Sequence, residues 1–290
     1  MRVAVTTTMW GDTPFREAAD EAREAGYAGI EGVGDLAGNV TLARRVLSDS
    51  GLDVSAGRFL ANWFSDVYSG IELDQFRRAA EFFADVDADC VITSSRPVPE
   101  RMMTAGHGAG DRNDGLLDYQ WTHLTDTLAQ ATHICLREFG LQLMFRNQLG
   151  SYVETKEELD QLMSLTDQDS LLIAPDTGYL FYAGIDPVEF IRKNLDRIGY
   201  VTLKDLDADL YEQHMHRQGS LQEFWDEGGF LELGTGDVDI ESIVTLLSGR
   251  EFNGWVVVGN DRPDRDAVAS AQIAREYLVG LGLELESELA

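Results

Sequence analysis

Short runs of apolar residues alternate with longer stretches in which apolar positions recur every three or four residues, and the alternation runs from one end of the chain to the other. The short runs predict eight strands, at residues 2–7, 29–32, 53–59, 90–93, 142–147, 171–174, 198–203 and 254–258. The stretches between them predict helices over residues 14–25, 40–50, 74–84, 116–139, 155–164, 186–195, 240–248 and 265–278. Eight strand and helix pairs in strict order predict a single-domain (β/α)8 barrel of the α/β class over residues 1–280, with an acidic tail over 281–290.

Local chemistry supports these boundaries. Asp12-Thr13-Pro14 and Asp186-Pro187 each place a capping side chain ahead of a proline that a first helical turn tolerates. Gly26, Gly51 and Gly140 stand where helices are expected to stop. Two connections, 94–115 and 204–239, are long, and both lie on the strand-to-helix side, where a barrel keeps its pocket walls.

In such a barrel the ends of the strands carry the chemistry. Here those ends read Phe145-Arg146-Asn147-Gln148, Asp176-Thr177-Gly178-Tyr179, Thr202-Leu203-Lys204-Asp205 and Val258-Gly259-Asn260-Asp261. Asp176 reads either as a ligand or general base at the mouth or as the cap of the next turn. Lys204 and Asp205 read as a structural ion pair or as groups that hold substrate oxygens and stabilise an enolate. Trp10, Trp63 and Trp225 fall in strand-to-helix loops, where indole faces either stack on sugar carbons or pack the loop. His214 and His216 read as unliganded loop histidines, and His107, His123 and His133 have no carboxylate at ligand spacing. Gly234-Thr235-Gly236 opens no helix, so a turn explains it better than a phosphate cradle.

Composition narrows the setting. The formal charge is −28, from 51 acidic and 23 basic residues, and Lys156, Lys193 and Lys204 are the only lysines. Such a surface repels nucleic acid and anionic membrane, and its self-repulsion is relieved by concentrated salt. It points to a halophile's cytoplasmic protein, with an acidic mesophilic enzyme as the alternative. Neither a signal peptide nor an apolar run approaching the ~20 residues of a membrane span is legible. Cys90 and Cys135 sit in apolar surroundings as free thiols.

Gly26-Tyr27-Ala28-Gly29-Ile30-Glu31, Asp176-Thr177-Gly178-Tyr179, Val201-Thr202-Leu203-Lys204-Asp205, Leu233-Gly234-Thr235-Gly236-Asp237-Val238 and Gly254-Trp255-Val256-Val257-Val258 together resemble the xylose isomerase-like TIM-barrel superfamily, nearest to its sugar isomerase, epimerase and inosose dehydratase branch. The resemblance implies a small polyhydroxylated carbonyl substrate, proton transfer next to the carbonyl, and self-association into dimers or tetramers. It also implies one divalent cation, Mn2+, Mg2+ or Co2+, held at the late strand ends. Of that ligand pattern only Asp176 is retained. Arg146 and Gln148 flank the fifth-strand position, Tyr179 stands for the histidine of a DTGH-like motif, Thr202 for that of an HLKD-like motif, and Gly259 for the last strand's Glu.

The expectation is therefore no cofactor or a weakly bound divalent cation, with Asp176 its one retained ligand. Asp176, Glu31 and Lys204 are the expected catalytic groups, and Arg146, Gln148, Thr202, Asp205, Tyr179, Trp10 and Trp63 the substrate-binding ones. Reinstating Thr202→His, Tyr179→His and Gly259→Glu is expected to recreate metal affinity. The alternative is a catalytically inactive barrel, natural or engineered, that binds a sugar-like ligand or a protein partner.

Overall fold

The computed structural model describes residues 1–106, 115–261 and 266–283. In chain order the first half runs β1 (Arg2–Thr6), α1 (Phe15–Glu24), β2 (Gly29–Glu31), α2 (Val40–Ser50), β3 (Asp53–Ala61), α3 (Ser69–Asp85), β4 (Cys90–Ser95), α4 (Pro99–Met102) and α5 (Asp118–His133). The second half runs β5 (Gln142–Phe145), α6 (Lys156–Leu165), β6 (Leu172–Ile173), α7 (Thr177–Tyr182), α8 (Pro187–Asn194), β7 (Tyr200–Leu203), β8 (Asp205–Leu206), α9 (Ala208–His216), α10 (Leu221–Asp226), β9 (Phe230–Leu231), α11 (Ile240–Gly249), β10 (Trp255–Val258) and α12 (Ala267–Gly280).

Eight of these strands are parallel neighbours in the order β6-β5-β4-β3-β2-β1-β10-β7. Bridges between Ile173 and Ile198 and between Asp176 and Thr202 join the two ends of that series. The result is a single-domain TIM barrel ringed by helices, with each predicted strand in place and β3 and β4 running two residues further than the pattern indicated.

The strand period of two divides the core into two layers. Ala4, Ala56, Cys90, Ile92, Met144, Ala174, Tyr200, Trp255 and Val257 fill the lumen, whereas Val3, Val5, Leu143, Phe145, Val201, Leu203, Val256 and Val258 face the helices. Large and small side chains alternate across the lumen: a Cβ on Gly29 would lie 2.5 Å from the Trp255 ring, so glycine there is what admits the indole.

Helix ends follow side-chain chemistry. The Asp186 carboxylate accepts from the amides of Val188 and Glu189 at 2.9 and 3.1 Å, as predicted for α8. At α1 the expected cap fails: Pro14 is the N-cap residue, and the Phe15 amide donates instead to Asp35, from the turn after β2, at 2.9 Å. The predicted 116–139 helix is α5 followed by a π-helical turn, Ile134–Phe139, closed by Gly140 at φ 71°.

The larger departure lies in the connection after β7, read from sequence as a loop. It is a small lobe in which the antiparallel pair β8 and β9 encloses α9 and α10. Its helices are short, end near Gly219 and Gly228, and are started by Asp207 and by a Ser220/Glu223 capping box, so no periodic pattern had room to develop. Among the described residues no helix is long and apolar enough to cross a membrane.

Candidate active site

Above the apolar plug the lumen becomes charged. Glu31, at the end of β2, is fully buried and is gripped by Arg146, just beyond β5: the guanidinium Nη1 donates to Oε1 at 3.0 Å and Nη2 to Oε2. Tyr200 Oη donates to Oε2 at 2.8 Å, Thr6 Oγ1 to Oε1 at 3.2 Å, and Arg58 Nε approaches Oε1 to 3.5 Å. Burial alone would raise the Glu31 carboxyl, but Arg146 outweighs it, with help from Arg58 and Tyr200, and holds it at about 2.

A carboxylate so firmly ionised is a poor proton acceptor near neutrality, which disfavours the acid/base work expected of Glu31, and its hydrogen bonds hold Arg146 in place. It also links stability to pH. Because the folded value lies below the ordinary 4.5, the pair stabilises the fold above that pH, and the contribution is withdrawn as pH falls from about 4.5 towards 2. Glu31→Gln is expected to remove on the order of 3 kcal/mol of this acid dependence, measured by circular dichroism along an acid titration in molar KCl.

A second cluster sits at the C-terminal ends of β6, β7 and β10. Asp176 follows β6, is fully buried, and its Oδ1 accepts the Tyr179 amide at 3.2 Å as the N-cap of α7. Of the two readings of Asp176 in the sequence, the cap is thus in place on one oxygen and leaves the other free of it. Asp176 Oδ2 has no hydrogen-bond partner but lies 3.2 Å from Lys204 Nζ. Lys204 Nζ donates to Asp261 Oδ1 and Oδ2 at 2.9 and 2.8 Å and lies 3.9 Å from the centroid of the Tyr179 ring. Tyr179 Oη donates to Asp261 Oδ2 at 2.5 Å.

The two carboxylates are therefore unequal. Asp261 is half-buried, and the charge of Lys204 with the hydrogen bonds from Lys204 and Tyr179 keeps it below the usual carboxylate range. Burial carries Asp176 the other way, above that range, because Lys204 and Arg146 compensate only in part. Thr202, paired with Asp176 across β6 and β7, also buries an unpartnered Oγ1. Buried polar groups are normally satisfied, so two such atoms without a hydrogen-bond partner mark this strand end as a candidate site.

The remaining candidates divide. Gln148 is buried three residues past β5, near Arg146 in the chain, with Asn147 Oδ1 accepting the Asp176 amide at 2.9 Å. Asp205 does not face a ligand: its carboxylate accepts the amides of Leu206, Gly234, Gly236 and Val238, all at 3.0 Å. It ties the Gly234-Thr235-Gly236 turn to β8 and closes the lobe. Asp205→Ala strands those four amides and is expected to lower stability by at least about 2 kcal/mol in urea unfolding.

Trp63 is fully buried between Phe59 and Phe76, with ring centroids 5.9 and 5.5 Å away, and its Nε1 donates to Thr93. That ring packs the loop after β3 and leaves no face for a sugar. Trp10 is buried as well, its Nε1 donating to Glu21 of α1 at 2.7 Å. His214 lies in an aromatic cluster with Tyr182 and Phe224, with Arg217 Nη2 3.0 Å from its Nδ1, an environment unlike a ligand's. His107 lies outside the described residues.

Comparison with known proteins agrees with this fold. The profile of the xylose isomerase-like TIM barrel family matches residues 19–278. The chain belongs to this family. An inosose dehydratase of Geobacillus kaustophilus is 31% identical over 275 residues, covering 90% of this chain and 85% of that protein. The rhizopine catabolism protein MocC of Rhizobium meliloti is 30% identical over 293 residues, covering 92% and 83%. The apo crystal structure of the 3-keto-D-glucoside 4-epimerase YcjR from E. coli superposes with a TM-score of 0.71 over 97% of this chain and 99% of that one, a likeness of fold at 17% identity.

The family commonly uses a divalent metal, and this chain's donors do not suit one. Among the described residues no three His, Cys, Asp or Glu side chains converge on a common point. The carboxylates that do converge, Asp176 and Asp261, already share the Lys204 ammonium, and Arg146 adds a second fixed positive charge near Asp176. Of the three replacements expected to recreate metal affinity, Thr202→His, Tyr179→His and Gly259→Glu, the last meets the Lys204 side chain. A Cβ on Gly259 would lie 3.0 Å from Lys204 Cε and 3.2 Å from Thr6 Cγ2, so a larger side chain enters only if Lys204 moves.

Proposed function

We propose that the barrel mouth binds a small polyhydroxylated ketone and moves a proton at the carbon next to its carbonyl, as in dehydration of a ketone of the inosose type. The observation that carries this reading is the buried Asp176 Oδ2, without a hydrogen-bond partner and 3.2 Å from the Lys204 ammonium. The family, together with a relative at 31% identity that is an inosose dehydratase, supports the substrate class.

In this reading Asp176 takes the proton from carbon, and the electrons of the C–H bond pass into an enolate. Its raised affinity for protons suits that step, since a base works best with a pKa near the working pH. Lys204 Nζ hydrogen-bonds only to Asp261 among the described residues, so an N–H remains for the enolate oxygen. Arg146 Nε and Thr202 Oγ1, both buried and without a hydrogen-bond partner, are available to substrate hydroxyls. The proton on Asp176 then passes to the departing β-hydroxyl, which leaves as water while the enolate electrons restore the carbonyl and form the new carbon–carbon double bond; an epimer arises only when a second acid protonates the opposite face of the enolate.

The substitutions at 179, 202 and 259 favour a second reading, a barrel that binds a sugar-like ligand without turnover. Incubating the protein with inososes and ketohexoses in molar KCl, followed by NMR, separates the two. Water loss or epimer formation is expected; thermal stabilisation by a ligand without product would favour the silent barrel, and neither effect would overturn both. Concentrated salt is the proper medium because the charge of −28 suits a protein that works in it.

A further inference from the structure

Glu31 has more cationic neighbours than it can use. Each of its oxygens already accepts two hydrogen bonds, Oε1 from Arg146 Nη1 at 3.0 Å and Thr6 Oγ1 at 3.2 Å, and Oε2 from Arg146 Nη2 and Tyr200 Oη. An ionised carboxylate has about four acceptor positions, so these donors fill it. Arg58, on β3, comes to Oε1 only at 3.5 Å through Nε, an ion-pair contact rather than a further hydrogen bond. Among the described residues its guanidinium makes no hydrogen bond, and Glu31 is its one ion-pair partner.

Its place in the fold gives that surplus charge a use. Arg58 pairs in register with Ile92, which lines the lumen, as does Ala56 two residues before it, so the strand period of two turns Arg58 inward. Its side chain is 24% exposed, against 4% for Arg146, so a ligand entering from solvent meets Arg58. Asp261, beyond β10, feels the same charge: desolvation raises that carboxyl, Lys204 and Tyr179 outweigh the rise, and Arg58 adds to them. Asp261 is engaged as well, by Lys204 and by Tyr179. Both carboxylates that Arg58 senses are therefore held by closer donors.

We propose that Arg58 receives an anionic group of the substrate, so that the mouth prefers a polyhydroxylated ketone bearing a carboxylate or a phosphate ester to a neutral one. A guanidinium presents paired N–H donors in one plane, the geometry that a carboxylate or phosphate accepts in two parallel bonds. Arg146 is not available for this, because Glu31 takes both its terminal nitrogens. The net charge of −28 repels an anion at low salt, but molar salt screens that field beyond about 3 Å and spares a direct bidentate contact. That a ketone enters the mouth rests on the function proposed above; the preference for an anion is read from binding, without turnover.

The test is isothermal titration calorimetry in molar KCl with D-fructose, 5-keto-D-gluconate and D-fructose 6-phosphate, on the wild-type chain, Arg58→Met and Arg58→Lys, with thermal unfolding to check that each is folded. The wild type is expected to bind one of the two acidic ketones at least about tenfold more tightly than D-fructose, and which one it is tells carboxylate from phosphate. Arg58→Met is expected to bring that ratio below about twofold. Arg58→Lys, which keeps the charge but not the planar pair of donors, is expected to fall between the two. D-fructose bound as tightly as both acidic ketones, a preference undiminished in either variant, or no binding of any of the three would overturn the proposal. An acidic ketone that shows this pattern and is not turned over would uphold it and count against the proton-transfer reading alone.

Discussion

Asp176→Asn is expected to lower the rate of proton removal from a ketone substrate by about 100-fold or more while leaving the fold intact. The asparagine amide oxygen can still accept the Tyr179 amide, so the cap of α7 survives. What disappears is the second oxygen, which has no hydrogen-bond partner and whose proton affinity burial has raised. Loss of rate with an unchanged melting temperature places the effect in the chemistry. A variant that keeps full rate would move the base elsewhere, and Glu31, held at about 2 by its neighbours, is a poor replacement.

Arg146→Met is expected to destabilise the protein by about 3–5 kcal/mol, the largest stability effect of any single substitution considered. It removes both guanidinium hydrogen bonds and strands a fully buried Glu31 carboxylate with Tyr200, Thr6 and a more distant Arg58. Adding Glu31→Gln should recover much of that loss, because breaking a buried pair costs more than replacing it. Urea unfolding of the single and double variants in molar KCl measures the coupling. Equal losses in both would mean that the pair contributes packing alone.

The sequence foretold the barrel because strand alternation and helical period are local signals, and all eight strands fall where the apolar runs lie. It missed the lobe between β7 and α11, whose short helices depend on caps and on the contact of Asp205 with Gly234, Gly236 and Val238. The candidate site was partly legible. Asp176, Lys204 and Arg146 stand at strand ends, where the rule that barrels carry chemistry makes them candidates, and the fold brings them close together.

Asp261 was missed as a site group because it stands three residues past β10 among other acidic residues, and only folding brings it 2.8 Å from Lys204 Nζ. Tyr200 reads as one more apolar strand residue, although the period of two places Tyr200, Thr202 and Lys204 on one face and was available as a signal. Asp205 and Trp63 misled for the opposite reason. Their residue types and positions suit a ligand, but the backbone amides around one and the aromatic rings around the other satisfy them within the fold.

The most direct test of proton transfer without a bound metal is solvent exchange. The protein would be incubated in D2O and molar KCl with an inosose-type ketone and excess chelator, and deuterium entering next to the carbonyl would be followed by NMR. Exchange that persists with chelator and disappears in Asp176→Asn is the expected result. Exchange that stops when chelator is added, or that survives in Asp176→Asn, would contradict it.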